Sequence, residues 1–209
     1  MSPLHFRSAR PEDADAIVAL VESAYRGDSS RVGWTTEADL LDGQRTDRED
    51  VAQAMATPGA RIILAYSETE GEGAMAAETN APAGAGPSPL DRSLVGTVLV
   101  QRDSVGTAHI GMFAIRPSLQ ARGLGRALLD EAERVARQGL GAVRAEMTVI
   151  EQRLDILAWY RRRGYLATGA TEPFPYGNPR FGLPRRPDLR FVVLAKPLSG
   201  DGVGPLSGD

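Results

Sequence analysis

Hydrophobic positions along the chain follow two periods, one of about two residues and one of about 3.6, and these predict strands and helices in a definite order. Leu4-His5-Phe6-Arg7 reads as a short strand. Pro11-Glu12-Asp13 then starts a helix, with proline at its first position and acids in its first turn, whose buried stripe is Ile17, Leu20, Val21, Ala24 and Tyr25. A second helical region spans about Glu37 to Ala56 and is interrupted near Asp42-Gly43. The near-continuous apolar run Arg61-Ile62-Ile63-Leu64-Ala65-Tyr66 predicts a strand. From Gly71 to Leu90 the chain is mostly Gly, Ala and Pro with few large side chains, so burial cannot offset its ordering entropy; residues 68–92 are expected to form a flexible insertion.

Leu94 to Gln101 and Ala108 to Ile115 predict two antiparallel strands joined by a short loop. The helix after them carries Leu124, Leu128, Ala132, Val135, Ala136 and Leu140 on one stripe. Arg126–Asp130, Asp130–Arg134 and Glu133–Arg137 are expected as ion pairs on its wet side, and Gly139 and Gly141 stop it. Val143 to Val149 predicts a strand, Leu154 to Arg163 a helix, and Leu189 to Ala195 a final strand. The tail 199–209 repeats Leu-Ser-Gly-Asp and is expected to be disordered. The succession of strands and helices predicts an α+β fold, a single domain over residues 1–198.

Composition narrows the function. With 209 residues and 42% apolar content the chain can bury a sizeable core. No stretch approaches the ~18–20 continuous apolar residues of a membrane span, and the first ten residues lack the apolar core of a secretion signal, so a cytoplasmic location with no membrane partner is expected. Cysteine is absent, which excludes disulfides and thiolate chemistry, and two histidines are too few for a histidine-rich metal site; no metal is expected. A formal charge of −3 argues against nucleic-acid binding.

The most informative stretch is Gln120-Ala121-Arg122-Gly123-Leu124-Gly125, between the apolar run Ile110 to Ile115 and an amphipathic helix. Two glycines at a strand-to-helix junction let the main chain turn sharply and leave room for a ligand. The free N–H groups and the positive dipole end of the helix start favour an anion, by roughly 0.3–1 kcal/mol per charge. No acid occurs from Gln120 to Leu129; Arg122 and Arg126 stand there instead.

The spacing Q-x-x-G-x-G after Phe113-Ala114-Ile115-Arg116-Pro117 resembles the acetyl-CoA signature of the GNAT N-acetyltransferase superfamily. It lacks the Gly-Lys-Ser/Thr of a P-loop and the later acid of a dinucleotide fold. The resemblance implies a central mixed, mostly antiparallel sheet flanked by helices, and acetyl-CoA as donor. The strand before the cradle is then expected to splay from the next, so that Met112, Phe113, Ala114 and Ile115 line the pantetheine, with Gly111 as the place for the necessary bulge. Main-chain groups of Gln120, Ala121, Arg122, Gly123, Leu124, Gly125 and Arg126 are expected around the pyrophosphate.

The segment Ala158-Trp159-Tyr160-Arg161-Arg162-Arg163-Gly164-Tyr165 resembles the family's second signature, in which the hydroxyl of the tyrosine lies near the thioester sulfur. Tyr160 is the implied general acid; a phenol with a pKa near 10 is protonated at neutral pH. Where the family often has an asparagine, seven residues before this tyrosine, the chain has Arg153. For the base there are two candidates. His109 stands in an Ala-His-Ile context that resembles some arylalkylamine acetyltransferases, and Glu146 is an acid amid strand residues.

Acceptor recognition is expected from Trp34 and Glu37 between the early helices, and from Phe174, Tyr176 and Arg180 in a loop rich in aromatics and proline. Glu37 suits a cationic amine and Arg180 a carboxylate. The wording of Trp34 to Asp47 and of Phe174 to Arg190 resembles a bacterial branch of the family and implies no particular acceptor. The expected activity is transfer of acetyl to the amine of a small molecule or amino-acid-like acceptor. The alternatives are a non-catalytic acyl-CoA-binding or sensing module and a protein lysine or N-terminal acetyltransferase. Many family members form homodimers through late strands.

Overall fold

A computed structural model describes residues 4–67 and 93–198. The expected insertion at 68–92 and the expected tail at 199–209 both lie outside the described residues.

The strands are β1 (Leu4–Ser8), β2 (Leu41–Asp42), β3 (Ala60–Ser67), β4 (Leu94–Arg102), β5 (Thr107–Ile115), β6 (Arg144–Ile150), β7 (Leu166–Pro173), β8 (Leu183–Pro184) and β9 (Arg190–Pro197). The helices are α1 (Ala14–Tyr25), α2 (Gly27–Ser30), α3 (Arg48–Ala56), α4 (Leu124–Arg134) and α5 (Leu154–Arg161). Seven strands form one sheet in the order β1-β3-β4-β5-β6-β9-β7, while β2 and β8 form a small second sheet. Every pairing in the large sheet is antiparallel except β5 with β6, so the expected mixed, mostly antiparallel sheet flanked by helices is observed.

The apolar run in β3 is continuous because both faces of the strand are covered. Ile62, Leu64 and Tyr66 pack with Ile17, Val21 and Ala24 of α1 and Val51 of α3. Ile63 and Ala65 point the other way, into the core shared with Leu128, Leu129 and Ala132 of α4. Successive side chains of a strand alternate faces, so an apolar residue at each position is what a doubly covered strand requires. Among the described residues no helix is long and apolar enough to cross a membrane.

Several sequence expectations are corrected. Residues 37–47 are not helical: they form turns, β2 and a loop, and α3 starts only at Arg48, where Asp47 Oδ1 accepts the N–H of Asp50 at 2.8 Å. The reason is tertiary. Leu41 is buried, Gly43 takes a φ of +76°, and the N–H groups of Arg45 and Thr46 are held by Glu22 Oε1 at 2.6 and 2.9 Å. Their backbone donors therefore have partners outside any helix. On α4 the Arg126–Asp130 pair forms at 3.7 Å, but Arg134 pairs with Glu131 and Glu133 is taken by Lys196 of β9. The chain then widens into a π-helical turn over Val135–Gly139.

Sheet pairing also creates the opening that matters for function. β6 is paired with β9 along its whole length, Arg144 to Ile150. β5 pairs with β6 only from Thr107 to His109 and then leaves it. A bulge opposite β4 accompanies the departure: Thr97 pairs with Ala114 and Leu99 with Gly111, so Met112 and Phe113 face the single residue Val98. The extra residue bends β5 away from β6. The strained position is Met112, with φ +47°, one residue after the Gly111 expected from the sequence.

Candidate active site

Between the diverging ends of β5 and β6 lies a cavity of about 520 Å³. Phe113 and Ile115 of β5, Met147 and Val149 of β6, and Trp159 and Tyr160 of α5 line its inner part. The Tyr25 hydroxyl donates to the carbonyl of Phe113, which fixes the bulge from α1. Burial, with Glu37 nearby, pushes the Tyr25 pKa up to about 12, so this donor keeps its proton.

The cavity runs directly onto the start of α4. Ala121 and Gly123 both have left-handed φ, +64° and +80°, and Gly123 is the N-cap residue, with no side chain capping the helix. The N–H groups of Arg126 and Ala127 both turn back to Gly123 O, at 3.0 and 3.2 Å. Those of Leu124 and Gly125 belong to the first turn, which has no intrahelical partner to offer them. There is no acid in this turn. The two glycines do different things: Gly123 supplies the left-handed turn, whereas at Gly125 a Cβ would lie 3.4 Å from Trp159, so that residue sets how closely α4 meets α5.

Gln120 is a brace. Its Nε2 donates to Thr35 Oγ1 at 2.8 Å and to Ile115 O at 3.0 Å, and its Oε1 accepts from Trp34 N at 2.9 Å. Gly33 leaves room for this amide, because a Cβ there would stand 2.7 Å from Gln120 Oε1 and push it from its partners. Arg153 grips the same segment from the other side, donating to Trp34 O at 2.9 Å, Thr35 O at 3.0 Å and Thr36 O at 2.8 Å. The arginine that departs from the family pattern thus ties residues 34–36 to the start of α5. Arg153→Leu leaves these carbonyls without their cationic partner and is expected to lower unfolding free energy by about 1.5–3 kcal/mol. Urea denaturation of both proteins measures this; an unchanged midpoint contradicts it.

Tyr160 is 7% exposed, packs edge-on against Trp159 at 4.9 Å, and has no hydrogen-bond partner among the described residues. Burial, and then the neighbouring Tyr25, push its pKa well above the ordinary phenol value. Arg163 lies over the Trp159 ring, 3.5 Å from its centroid, and donates to Trp159 O at 2.9 Å. Its burial, with Arg162 and Arg126 nearby, lowers its pKa from the usual guanidinium range.

The expected site residues divide accordingly. Met112, Phe113, Ile115, Gln120, Ala121, Gly123, Gly125 and Arg126 line the cavity, as do Trp34, Glu37, Phe174 and Tyr160. Ala114 is instead fully buried against α1, Leu124 packs into the main core, and Arg122 is exposed outside the cavity. His109 and Glu146 sit where β5 and β6 are still paired, before the opening. His109 is exposed and bound to Asp103 at 3.1 Å; Glu146 is bound to Arg144 at 2.8 Å. Tyr176 and Arg180 also lie off the cavity. The Tyr176 hydroxyl donates to Arg186 O and accepts from Leu189 N, and Arg180 pairs with Glu49 at 3.1 Å and Asp50 at 3.3 Å. Glu37 lines the cavity, but its carboxylate is held by Arg26 at 2.6 Å, with Arg45 at 3.9 Å. Tyr25, Arg26, Arg45, Arg163 and Glu172 line the cavity without having been singled out from the sequence as site residues.

The chain shares its fold with known protein structures. Its backbone resembles a structure provisionally assigned as a phosphinothricin N-acetyltransferase, at a TM-score of 0.62 and 17% identity, covering 95% of this chain and 100% of that one. It also resembles nourseothricin acetyltransferase, at 0.58 and 19%, covering 94% and 99%. A third is the spermidine/spermine N-acetyltransferase SpeG from Vibrio cholerae, at 0.57 and 14%, covering 94% and 93%. At these identities the likeness establishes the fold alone. No curated protein matches the sequence. The model of the acetyltransferase (GNAT) family matches residues 54–165, more than half of the chain, and includes the splayed strand, the cradle and Tyr160. The chain belongs to the GNAT acetyltransferase family.

Proposed function

We propose that the protein is an acetyl-CoA-dependent N-acetyltransferase that acts on the amine of a small molecule or amino-acid-like acceptor. The observation that carries this reading is the continuity of the opening between β5 and β6 with the uncapped start of α4, with Tyr160 lining the same cavity. A long thioester whose pantetheine arm leads to a pyrophosphate fits such a site. The unpaired edge of β5 offers main-chain groups to its amides, and the left-handed turn at Ala121 and Gly123 leaves the first helical N–H groups free for its phosphates. Acetyl-CoA supplies the activated acyl group and a good leaving thiolate.

The chain's own residues do the rest. The bulge at Met112 and Phe113, fixed by Tyr25, sets where the reacting end lies. Trp34, Phe113 and Trp159 exclude water from it, their rings 5.9–6.0 Å apart. As the amine's N–C bond forms and the C–S bond breaks, Tyr160 donates its hydroxyl proton to the leaving sulfur and is restored by the proton that the amine nitrogen gives up. Glu172, which lines the cavity and has no ion-pair partner among the described residues, is the carboxylate free to draw in a cationic amine. His109 and Glu146, the two candidate bases, stand where β5 and β6 are still paired, before the opening.

The test is release of free thiol from acetyl-CoA in the presence of a panel of primary amines, read with a thiol reagent. Amine-dependent release, with the acetylated amine identified by mass, is expected. Tight acetyl-CoA binding without release for any amine favours the sensing module instead.

A further inference from the structure

We infer that the acceptor carries a carboxylate beside its amine and that Arg45 binds it; the inference rests on the acetyltransferase reading above. The reason lies in the charges around Glu37. Arg26, only 6% exposed, pairs with Glu37 Oε2 at 2.6 Å and thereby neutralises it. Arg45 approaches the same oxygen only to 3.9 Å, beyond hydrogen-bonding distance, and makes no side-chain hydrogen bond among the described residues. In addition, Nε and Nη2 of Arg26 are buried with no acceptor. Two guanidiniums thus share the one carboxylate of this wall of the cavity, since the nearby Glu22 does not line it and accepts main-chain N–H groups instead.

The other arginines that line the cavity are engaged or stand elsewhere in it. Arg153 is bound to three carbonyls and Asp155, and Arg163 to Trp159, while Arg126, which reaches Asp130 only at 3.7 Å, stands in the first turn of α4 at the end proposed for the phosphates. Glu172, the remaining carboxylate of the cavity, stands on β7 and is not within ion-pair distance of Arg26 or Arg45. Arg45 is also held in position. Glu22 takes its N–H and that of Thr46, and its guanidinium lies 5.5 Å from the centre of the Tyr25 ring, whose hydroxyl fixes the bulge at Phe113. Its side chain is 37% exposed, which leaves the guanidinium accessible to a ligand. Leu41, Ile150, Phe174, Phe181 and Phe191 line the same cavity, and an apolar surround strengthens a guanidinium–carboxylate pair. Amine and carboxylate on one small molecule would meet Glu172 and Arg45.

The experiment compares α-amino acids with the amine and the carboxamide of the same side chain, for example leucine, isoamylamine and leucinamide, across the common side chains. Thiol release from acetyl-CoA is the first readout. Acetyl-CoA affinity by calorimetry is the second, and the melting temperature of the CoA complex with each compound is the third. The wild type is expected to prefer carboxylate members. Arg45→Gln is expected to raise their KM about 10- to 100-fold, the loss for a hydrogen bond to a charged group, with little change in kcat or in acetyl-CoA affinity. Arg45→Lys is expected to recover part of it. Equal use of amines and amino acids, a preference unchanged in Arg45→Gln, or a panel in which no amino acid is turned over or raises the melting temperature overturns the inference. A wild type that binds no acetyl-CoA overturns the acetyltransferase reading instead, so the two failures are distinguishable.

Discussion

Tyr160→Phe is expected to lower kcat by about 100- to 10,000-fold, the range for loss of a general acid, while acetyl-CoA affinity stays near the wild-type value. The substitution removes one oxygen from a buried ring that keeps its contacts with Trp159, Phe113 and Tyr165. The hydroxyl has no protein partner among the described residues, so its loss orphans no buried group and the melting temperature should hold or rise slightly. A second consequence concerns pH. Because burial raises the Tyr160 pKa, the phenol keeps its proton throughout the assayable alkaline range, and the wild-type rate should show no fall from its ionisation near pH 10. Steady-state kinetics at saturating substrates, calorimetry and a melting curve separate these effects. An unchanged kcat removes the proposed role; a large fall in melting temperature makes Tyr160 a packing residue.

How far the sequence could be read depended on whether each signal was local. β3, β4 and β5 were legible because their runs are nearly unbroken and two layers of helix cover them. α4 and the π-helical turn that follows it were legible from Leu128, Ala132 and Ala136, buried at helical spacing. β7 was not located, since all eight of its residues, Leu166 to Pro173, are exposed and carry no alternation to detect. Residues 37–47 were misread as helical because their polar backbone groups find partners such as Glu22 only once α1 is packed beside them.

The site shows the same division. The proposed cradle is six consecutive residues whose glycines and missing acids have a direct backbone meaning, and the chain turns there through left-handed Ala121 and Gly123. The opening of the sheet is a matter of register. His109 and Glu146 are the last paired residues and Ile110 is the first beyond them, a difference of one position that no side chain announces. Which arginine turns inward is equally remote from local pattern. Arg180 is drawn off by Glu49 and Asp50, some 130 positions earlier, whereas Arg45 faces the cavity because Glu22 and Tyr25 hold it there.

Gly123→Asp is expected to weaken acetyl-CoA binding at least 100-fold from a micromolar wild-type value, a loss of about 2.7 kcal/mol out of roughly 8. Gly123 caps α4 with φ +80° and lines the cavity, so the new carboxylate would stand among the N–H groups proposed to hold the pyrophosphate. Steric crowding and like charge act together there, and the dipole end that favoured the ligand now stabilises the side chain. Aspartate tolerates the left-handed region better than most residues, so the cost to the fold should be about 1 kcal/mol and the protein should remain folded. The contrast is what makes the variant informative: binding lost, fold kept. Raising salt should weaken wild-type binding in the same titration, as charge-dominated contacts require. If folded wild-type protein binds no acetyl-CoA, or if Gly123→Asp binds it as well as the wild type does, the turn from Gln120 to Gly125 is not a phosphate cradle and the proposed donor must be abandoned.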